Sequence, residues 1–415
     1  MCANWKDGKD GYAPEAVFAK IEKAAHVVEN GQVSYTVSDT DFGIEFLKPV
    51  LASAIVLSSE IPSSLHACIV SEGLTAALRK GQLTRESVKQ AVSESERRYL
   101  KRPKENYVLV TTISLKSPLP FRTIRRDNRS MTFSPSLPRS FDQSSLSGRI
   151  SILFPTQQLP NDYYVIRAAC TGRSPKEAAT DALNAIALLR GIWSLWLTRG
   201  QFWMSLCGNP KQVGVLALGP IHTLHLSNGR LATDTIWYDS RYRNPIECLN
   251  ISRIWPDVRK ADSWTRKQIS RAKNMDGVTQ AFIRYANALD EPLVQHTFLR
   301  LWSLLEYLTH TRDSKITIRR AAFLSKERDY AVQELTHLRD IRNTAVHEDD
   351  SAHHSEIPVH QLKAYIDELL VFFLQPVNVR QTMAETAEFL DCPWSLDALE
   401  KKIGMYRKAR IFLGS

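Results

Sequence analysis

Apolar positions along the chain follow two periods, and the change between them falls near residue 255. Before it, short runs rich in β-branched and aromatic residues alternate with helical stretches. Asn106 to Leu115 is such a run, bounded by prolines, and predicts a strand. Ile150 to Phe154, Tyr163 to Ala168, Val213 to Leu218 and Ile221 to Leu226 predict further strands, the last leading into a Ser227-Asn228-Gly229-Arg230 turn. Val50 to Leu57 suits a buried strand or a short helix. Thr84 opens a helix that ends in the basic cluster Arg97, Arg98, Lys101, Arg102 and Lys104. A second helix has a full start signal, with Ser174 as N-cap, Pro175 at the first helical position and Glu177 three residues after the cap. It runs to Leu189 with apolar residues on most sides, as a central core helix would.

From Ser263 onward the helical period takes over. Asp290-Glu291-Pro292 starts a helix in which Val294, Phe298, Leu301, Leu305 and Leu308 step by four and three, the spacing of one buried face. Ile316 to Leu324 predicts a shorter helix, and Asp329 to Val346 a longer one with core positions Leu335, Leu338, Ile341 and Ala345. After a polar loop from Glu348 to Glu356, a further helix buries Leu362, Ile366, Leu369 and Phe373. Short connections make these antiparallel neighbours in a bundle. Within the first region, Phe121 to Arg149 turns to Ser, Pro and Arg, a composition that buries too little surface to offset ordering entropy and predicts a mobile loop. The expected fold is α+β. Residues 1–120 form an N-terminal mixed α/β region, 121–149 a loop or linker, 150–255 a second α/β segment packed with the first, and 263–415 an all-α bundle with a helical extension.

A chain of 415 residues exceeds what one hydrophobic core usually supports. Its formal charge of +10 favours a polyanionic partner, although many basic proteins bind nothing acidic. The six cysteines, Cys2, Cys68, Cys170, Cys207, Cys248 and Cys392, lie far apart with no Cys-x-x-Cys pair, as reduced thiols do. The first residues, Met1 to Asp7, carry charge where a signal peptide would begin its apolar core. The most apolar stretch, Ala182 to Leu197, is interrupted by Asn184 and Arg190 and falls short of the roughly twenty residues a membrane span needs. These features lead us to expect a cytoplasmic protein with no membrane partner. Neither a Gly-x-x-x-x-Gly-Lys loop nor a glycine-rich dinucleotide turn is present, which argues against a kinase or nucleotide transferase, and no cofactor is expected.

Chemistry concentrates in Leu338-Arg339-Asp340-Ile341-Arg342-Asn343-Thr344-Ala345-Val346-His347. An arginine, an amide beside it and a histidine five residues on supply a cation for a phosphate, a hydrogen-bond donor and a group that moves protons near neutral pH. Arg339, Asn343 and His347 are spaced by four and share one helix face, with Arg342 flanking it. On one helix Arg342 and His347 diverge by about 140°. Pairing two such helices across a two-fold axis brings two Arg-Asn-His sets around one groove, so a homodimer through the bundle is expected.

Arg342 to His347 resembles the Arg-polar-x-x-x-His motif of HEPN (higher eukaryotes and prokaryotes nucleotide-binding) domains. Leu301 to Leu308, with Trp302 and Glu306, and Ile318 to Ala322 look like the ApeA-like branch of that superfamily; the resemblance covers Val278 to Phe373. It implies a metal-independent endoribonuclease of a phage-defence or toxin system that acts on tRNA or other cellular RNA. It further implies that His347 transfers protons, Arg342 holds the phosphate and Asn343 orients them, with attack of a 2′-hydroxyl leaving a 2′,3′-cyclic phosphate. The N-terminal region would then act as sensor or restraint, answering to a phage-derived or nucleotide trigger. The alternative is a catalytically silent dimerisation or nucleotide-binding bundle in a partner-recognition protein.

Each of these residues also has a plainer reading. Arg342 can cap acidic neighbours, and His347 can end the helix where its dipole favours a cation. Glu306 and Arg339 are helpers at such a site or exposed helical residues. Arg319 and Arg320 bind RNA backbone or solvate a helix face. The Arg-rich segment Arg122, Arg125, Arg126 and Arg129 holds phosphates or is a solvated loop. The cluster His347, Glu348, Asp349, Asp350, His353 and His354 has ligand chemistry but no metal-site spacing, and no metal is expected. His222 and His225 suit packing better than ligation.

Overall fold

The computed structural model describes residues 3–6, 14–27, 33–35, 44–81, 83–126, 129–154, 159–200, 213–240, 242, 244–347 and 356–414. The chain divides into two compact units. One comprises residues 1–109, 169–182 and 224–234, the other residues 110–168, 183–223 and 235–415.

The first unit opens with β1 (Asn4–Trp5), α1 (Glu15–Ala24), β2 (Ala25–Val27), β3 (Val33–Tyr35), α2 (Ile44–Ala54), β4 (Ile55–Val56), α3 (Ser63–Arg79) and α4 (Arg85–Lys101). Val50 to Leu57 is thus the end of a helix followed by a short strand, β4, which pairs antiparallel with β1. α4 starts where Thr84 predicts, with the Thr84 side chain accepting from the Ser87 N–H and Ser87 Oγ accepting from the Thr84 N–H. Such reciprocal capping satisfies two donors that the helix leaves open. α3 packs closely on α4 at Gly73, where a Cβ would stand 2.6 Å from Val92 Cα. Phe18, Ile21, Leu51, Leu74, Val88 and Val92 fill the core around them.

The strands that follow are β5 (Glu105–Ile113), β6 (Thr123–Arg126), β7 (Arg129–Ser134), β8 (Tyr164–Gly172), β9 (Ile221–Leu226) and β10 (Trp237–Tyr238), with helices α5 (Ser147–Leu153) and α6 (Pro175–Thr198) between them. They form one sheet in the order β10-β9-β5-β8-β7-β6, and the division between units falls within β5, β8, β9 and α6. Three elements differ from expectation. Phe121 to Arg149 is not a bare loop, because β6 and β7 pair antiparallel, with Ile124 opposite Met131, and β7 pairs on with β8. Phe121 and Phe133 meet edge to face at 5.1 Å, and Phe121 lies 4.1 Å from the Trp255 ring, so two aromatic residues supply the burial that the composition lacks. Ile150 to Phe154 lies mostly in the helix α5, whose Ile152 is exposed and so gains nothing from a buried strand. Val213 to Leu218 is irregular apart from one bridge, Leu218 to Ile113.

Among the described residues only helices follow: α7 (Trp255–Ile269), α8 (Met275–Leu289), α9 (Val294–Leu308), α10 (Ser314–Ala322), α11 (Arg328–His347), α12 (Ile357–Leu374), α13 (Met383–Leu390) and α14 (Leu396–Leu413). Helical structure therefore begins at Trp255, some residues before the expected Ser263. α9 packs against α8 and α12, and α10 against α11. Phe298, Leu301, Leu305, Leu308, Leu335, Leu338, Leu362, Ile366, Leu369 and Phe373 are buried as their spacing predicts, and Ile341 is half-buried. The side chain of Ala345 lies outside the described residues.

The protein is therefore α+β, a mixed N-terminal region followed by a helical C-terminal one. No helix among the described residues is long and apolar enough to cross a membrane. The described cysteines, Cys68, Cys170, Cys248 and Cys392, form no disulfide, and Cys2 and Cys207 lie outside the described residues.

α6 approaches α8 so closely that a Cβ on Gly191 would strike the Phe282 carbonyl oxygen. Gly191→Ala is accordingly expected to destabilise the protein by roughly 1–3 kcal/mol, read as a lower urea midpoint, because backbone on both sides must move.

Candidate functional site

α11 carries the expected strip at its C-terminal end. Its buried positions Leu335 and Leu338 fix the helix rotation, leaving Asn343 exposed and Arg342 half-buried. Arg342 Nη1 donates to Asn343 Oδ1 at 3.1 Å, which aligns the two polar groups and leaves the other guanidinium donors available. Arg339 is held through Nε and Nη2 by the adjacent Asp340 carboxylate at 2.9 and 2.7 Å. The helix thus brings Arg339, Arg342 and Asn343 together over one turn. His347 is its last residue; its side chain lies outside the described residues, as do Glu348, Asp349, Asp350, His353 and His354. Among the described residues no cluster suited to a metal ion occurs.

Other expected residues are engaged elsewhere. Glu306 is half-buried, and its carboxylate accepts from Trp302 Nε1 at 2.8 Å, one turn back on α9. That contact orients an indole of the bundle core. Arg320 grips Asp391 through Nε and Nη2 at 2.9 and 2.6 Å and donates through Nη1 to the Thr309 carbonyl at 2.6 Å. Arg319 meets the same carboxylate. This hydrogen-bonded pairing, Arg320 foremost, holds the Asp391 carboxyl below the usual carboxylate range. Arg126 pairs with Asp262 at 2.9 Å, whereas Arg122 and Arg125 are exposed.

His222 and His225 are both buried. His222 Nδ1 shares a hydrogen bond of 2.7 Å with Thr111 Oγ1, and His225 Nδ1 donates to the Gly229 carbonyl at 2.8 Å. Burial pushes the His222 imidazole down to about 4. The unfolded chain therefore binds the extra proton between about pH 6.5 and 4, so this stability is fully present above that window and is lost as pH falls through it. His222→Gln is expected to flatten the acid limb of the stability curve by up to roughly 3 kcal/mol, measured as the difference from wild type in urea unfolding at pH 7 and 4.5.

Sequence reasoning missed three polar groupings. Glu334 accepts from Gln361 and Tyr365 at 2.7 and 2.6 Å, joining α11 to α12. Lys363, Asp367 and Tyr285 form a buried cluster. Arg190, read only as a break in an apolar run, lines a cavity of about 1190 Å³. Its signal was present, since a lone cation in a core helix must find buried partners.

The class this fold and strip define is an α+β protein with a polar, basic end to one helix of a C-terminal bundle. No protein-family model matches the chain, and no match was found among curated proteins or among solved structures.

Proposed function

We propose that the chain is a metal-independent endoribonuclease of the HEPN type, acting on tRNA or other cellular RNA in a phage-defence or toxin system. The observation that carries this reading is the hydrogen-bonded Arg342–Asn343 pair on the last turns of a bundle helix that ends at His347. Arg342 keeps donors for the non-bridging phosphate oxygens, which gather charge in the transition state. His347 takes the ribose 2′-hydroxyl proton in one subunit or delivers a proton to the departing 5′-oxygen in the other. The 2′-oxygen to phosphorus bond forms and the phosphorus to 5′-oxygen bond breaks, leaving a 2′,3′-cyclic phosphate and a 5′-hydroxyl. Because one helix separates Arg342 from His347, a homodimer completes each site. The N-terminal region acts as sensor or restraint, and the protein works in the cytoplasm.

The silent-bundle alternative draws on the capture of Arg319 and Arg320 by Asp391, which removes two cations from the surface available to RNA. Incubating the purified protein with total tRNA and messenger RNA in EDTA and mapping fragment ends separates the two. Discrete cuts bearing 2′,3′-cyclic phosphates are expected of the nuclease once a trigger relieves the N-terminal restraint, and RNA left intact with the trigger present is expected of the silent bundle.

A further inference from the structure

The cavity beside Arg190 is lined by polar side chains from two helices. Asn184 and Arg190 of α6 line it together with Asn287 of α8 and Asp290 just after it. Arg190 is only 2% exposed. Its Nε and Nη2 donate to the Leu216 carbonyl at 2.8 and 2.7 Å, and Nη2 also meets Asp290. Among the described residues its Nη1 has no hydrogen-bond partner, and neither does the side-chain amide of Asn184 or Asn287. Asn184 is exposed and Asn287 half-buried, so these donors and acceptors are open to water or to a ligand that replaces it.

Aromatic side chains line the cavity as well, those of His222, Trp237, Tyr238 and Tyr242. Phe154 stands edge-on to both tyrosines, at 6.1 and 6.2 Å between ring centroids, which stiffens that part of the lining. Lining charges nearly cancel, with Lys116 and Arg190 against Asp239, Glu247 and Asp290. A polyphosphate would therefore meet no net positive field, whereas a flat uncharged ring with a hydrogen-bonding edge meets both of its needs. Small-molecule sites commonly run about 300–1,000 Å³, so the cavity holds such a molecule with room for bridging waters.

We propose that this cavity binds a free nucleoside, its base against the Trp237 to Tyr242 wall and its polar groups met by Asn184, Asn287 and Arg190 Nη1. The proposal stands apart from the ribonuclease reading, because it needs neither RNA nor α11. Calorimetric titration of the full chain with adenosine, guanosine, cytidine and uridine tests it, with AMP, ATP and ribose as comparisons. At least one nucleoside is expected to bind at one per chain, with its triphosphate about tenfold weaker or worse. Trp237→Ala and Asn287→Leu, which leave the Arg190 anchors in place, are each expected to weaken binding at least about tenfold without changing the circular dichroism melt. The proposal is overturned if no nucleoside releases or absorbs heat at millimolar concentration, or if ATP or ribose binds as tightly as the nucleoside. Undiminished binding by both variants overturns it too.

Discussion

His347→Ala is expected to lower RNA cleavage by about 10²–10⁴-fold, the usual worth of a positioned proton-transfer group. The substitution falls on the last residue of α11. The helix dipole makes a cation there worth about 0.3–1 kcal/mol, so the melt should move little. That separation is what makes the experiment decisive: activity and stability are read on the same preparation, and only the first should collapse. Arg342→Ala should cost a few kcal/mol of transition-state stabilisation, about a hundredfold or more in rate, and would also release Asn343 from its 3.1 Å hydrogen bond. Asn343→Ala should cost less, because Arg342 keeps its charge. If wild type and His347→Ala cut RNA equally, His347 has no part in the chemistry and the HEPN reading loses its central residue.

Local signals served well where they were self-contained. Thr84 and Ser174 start helices where their side chains can cap them, and the four-and-three stripe of α9 is buried from Phe298 to Leu308, with Val294 at its start half-buried. They failed where distant residues decide. Nothing in the composition of Phe121 to Arg149 announces that Trp193 and Trp255 will close around Phe121. Ile150 and Ile152 read as an alternating strand, yet in α5 the hydroxyl of Ser151 donates to the Ser147 carbonyl at 2.9 Å and Ile152 faces solvent. The same division holds at the site. Arg339, Arg342 and Asn343 come together because one helix carries them, which spacing alone can tell. Asp391 reaches Arg319 and Arg320 from far along the chain, and Leu216 and Asp290 reach Arg190 likewise. No periodicity encodes such partners.

The largest stability effect is expected in the bundle interior, at Lys363 and Asp367 on α12 and Tyr285 on α8. All three side chains are buried, with Lys363 Nζ and Tyr285 Oη each donating to the Asp367 carboxylate at 2.6 Å. Ions this deep are stable only as a satisfied set, so Lys363→Met should cost about 3–5 kcal/mol in urea unfolding at pH 7. Exchanging both for Lys363→Met with Asp367→Leu should recover most of that loss, since no unpaired charge remains. A pH series separates a stranded charge from simple repacking. Burial already pushes the Asp367 carboxyl above its usual range, with Lys363 opposing it. Without Lys363 that opposition disappears, and the folded carboxyl takes up its proton at higher pH than the unfolded one. The folded state then binds more protons across the interval between the two values, so the deficit of Lys363→Met should shrink as pH falls through it. A deficit that stays constant with pH, or single substitutions whose costs simply add in the double variant, would show that the cluster acts by packing and not by charge.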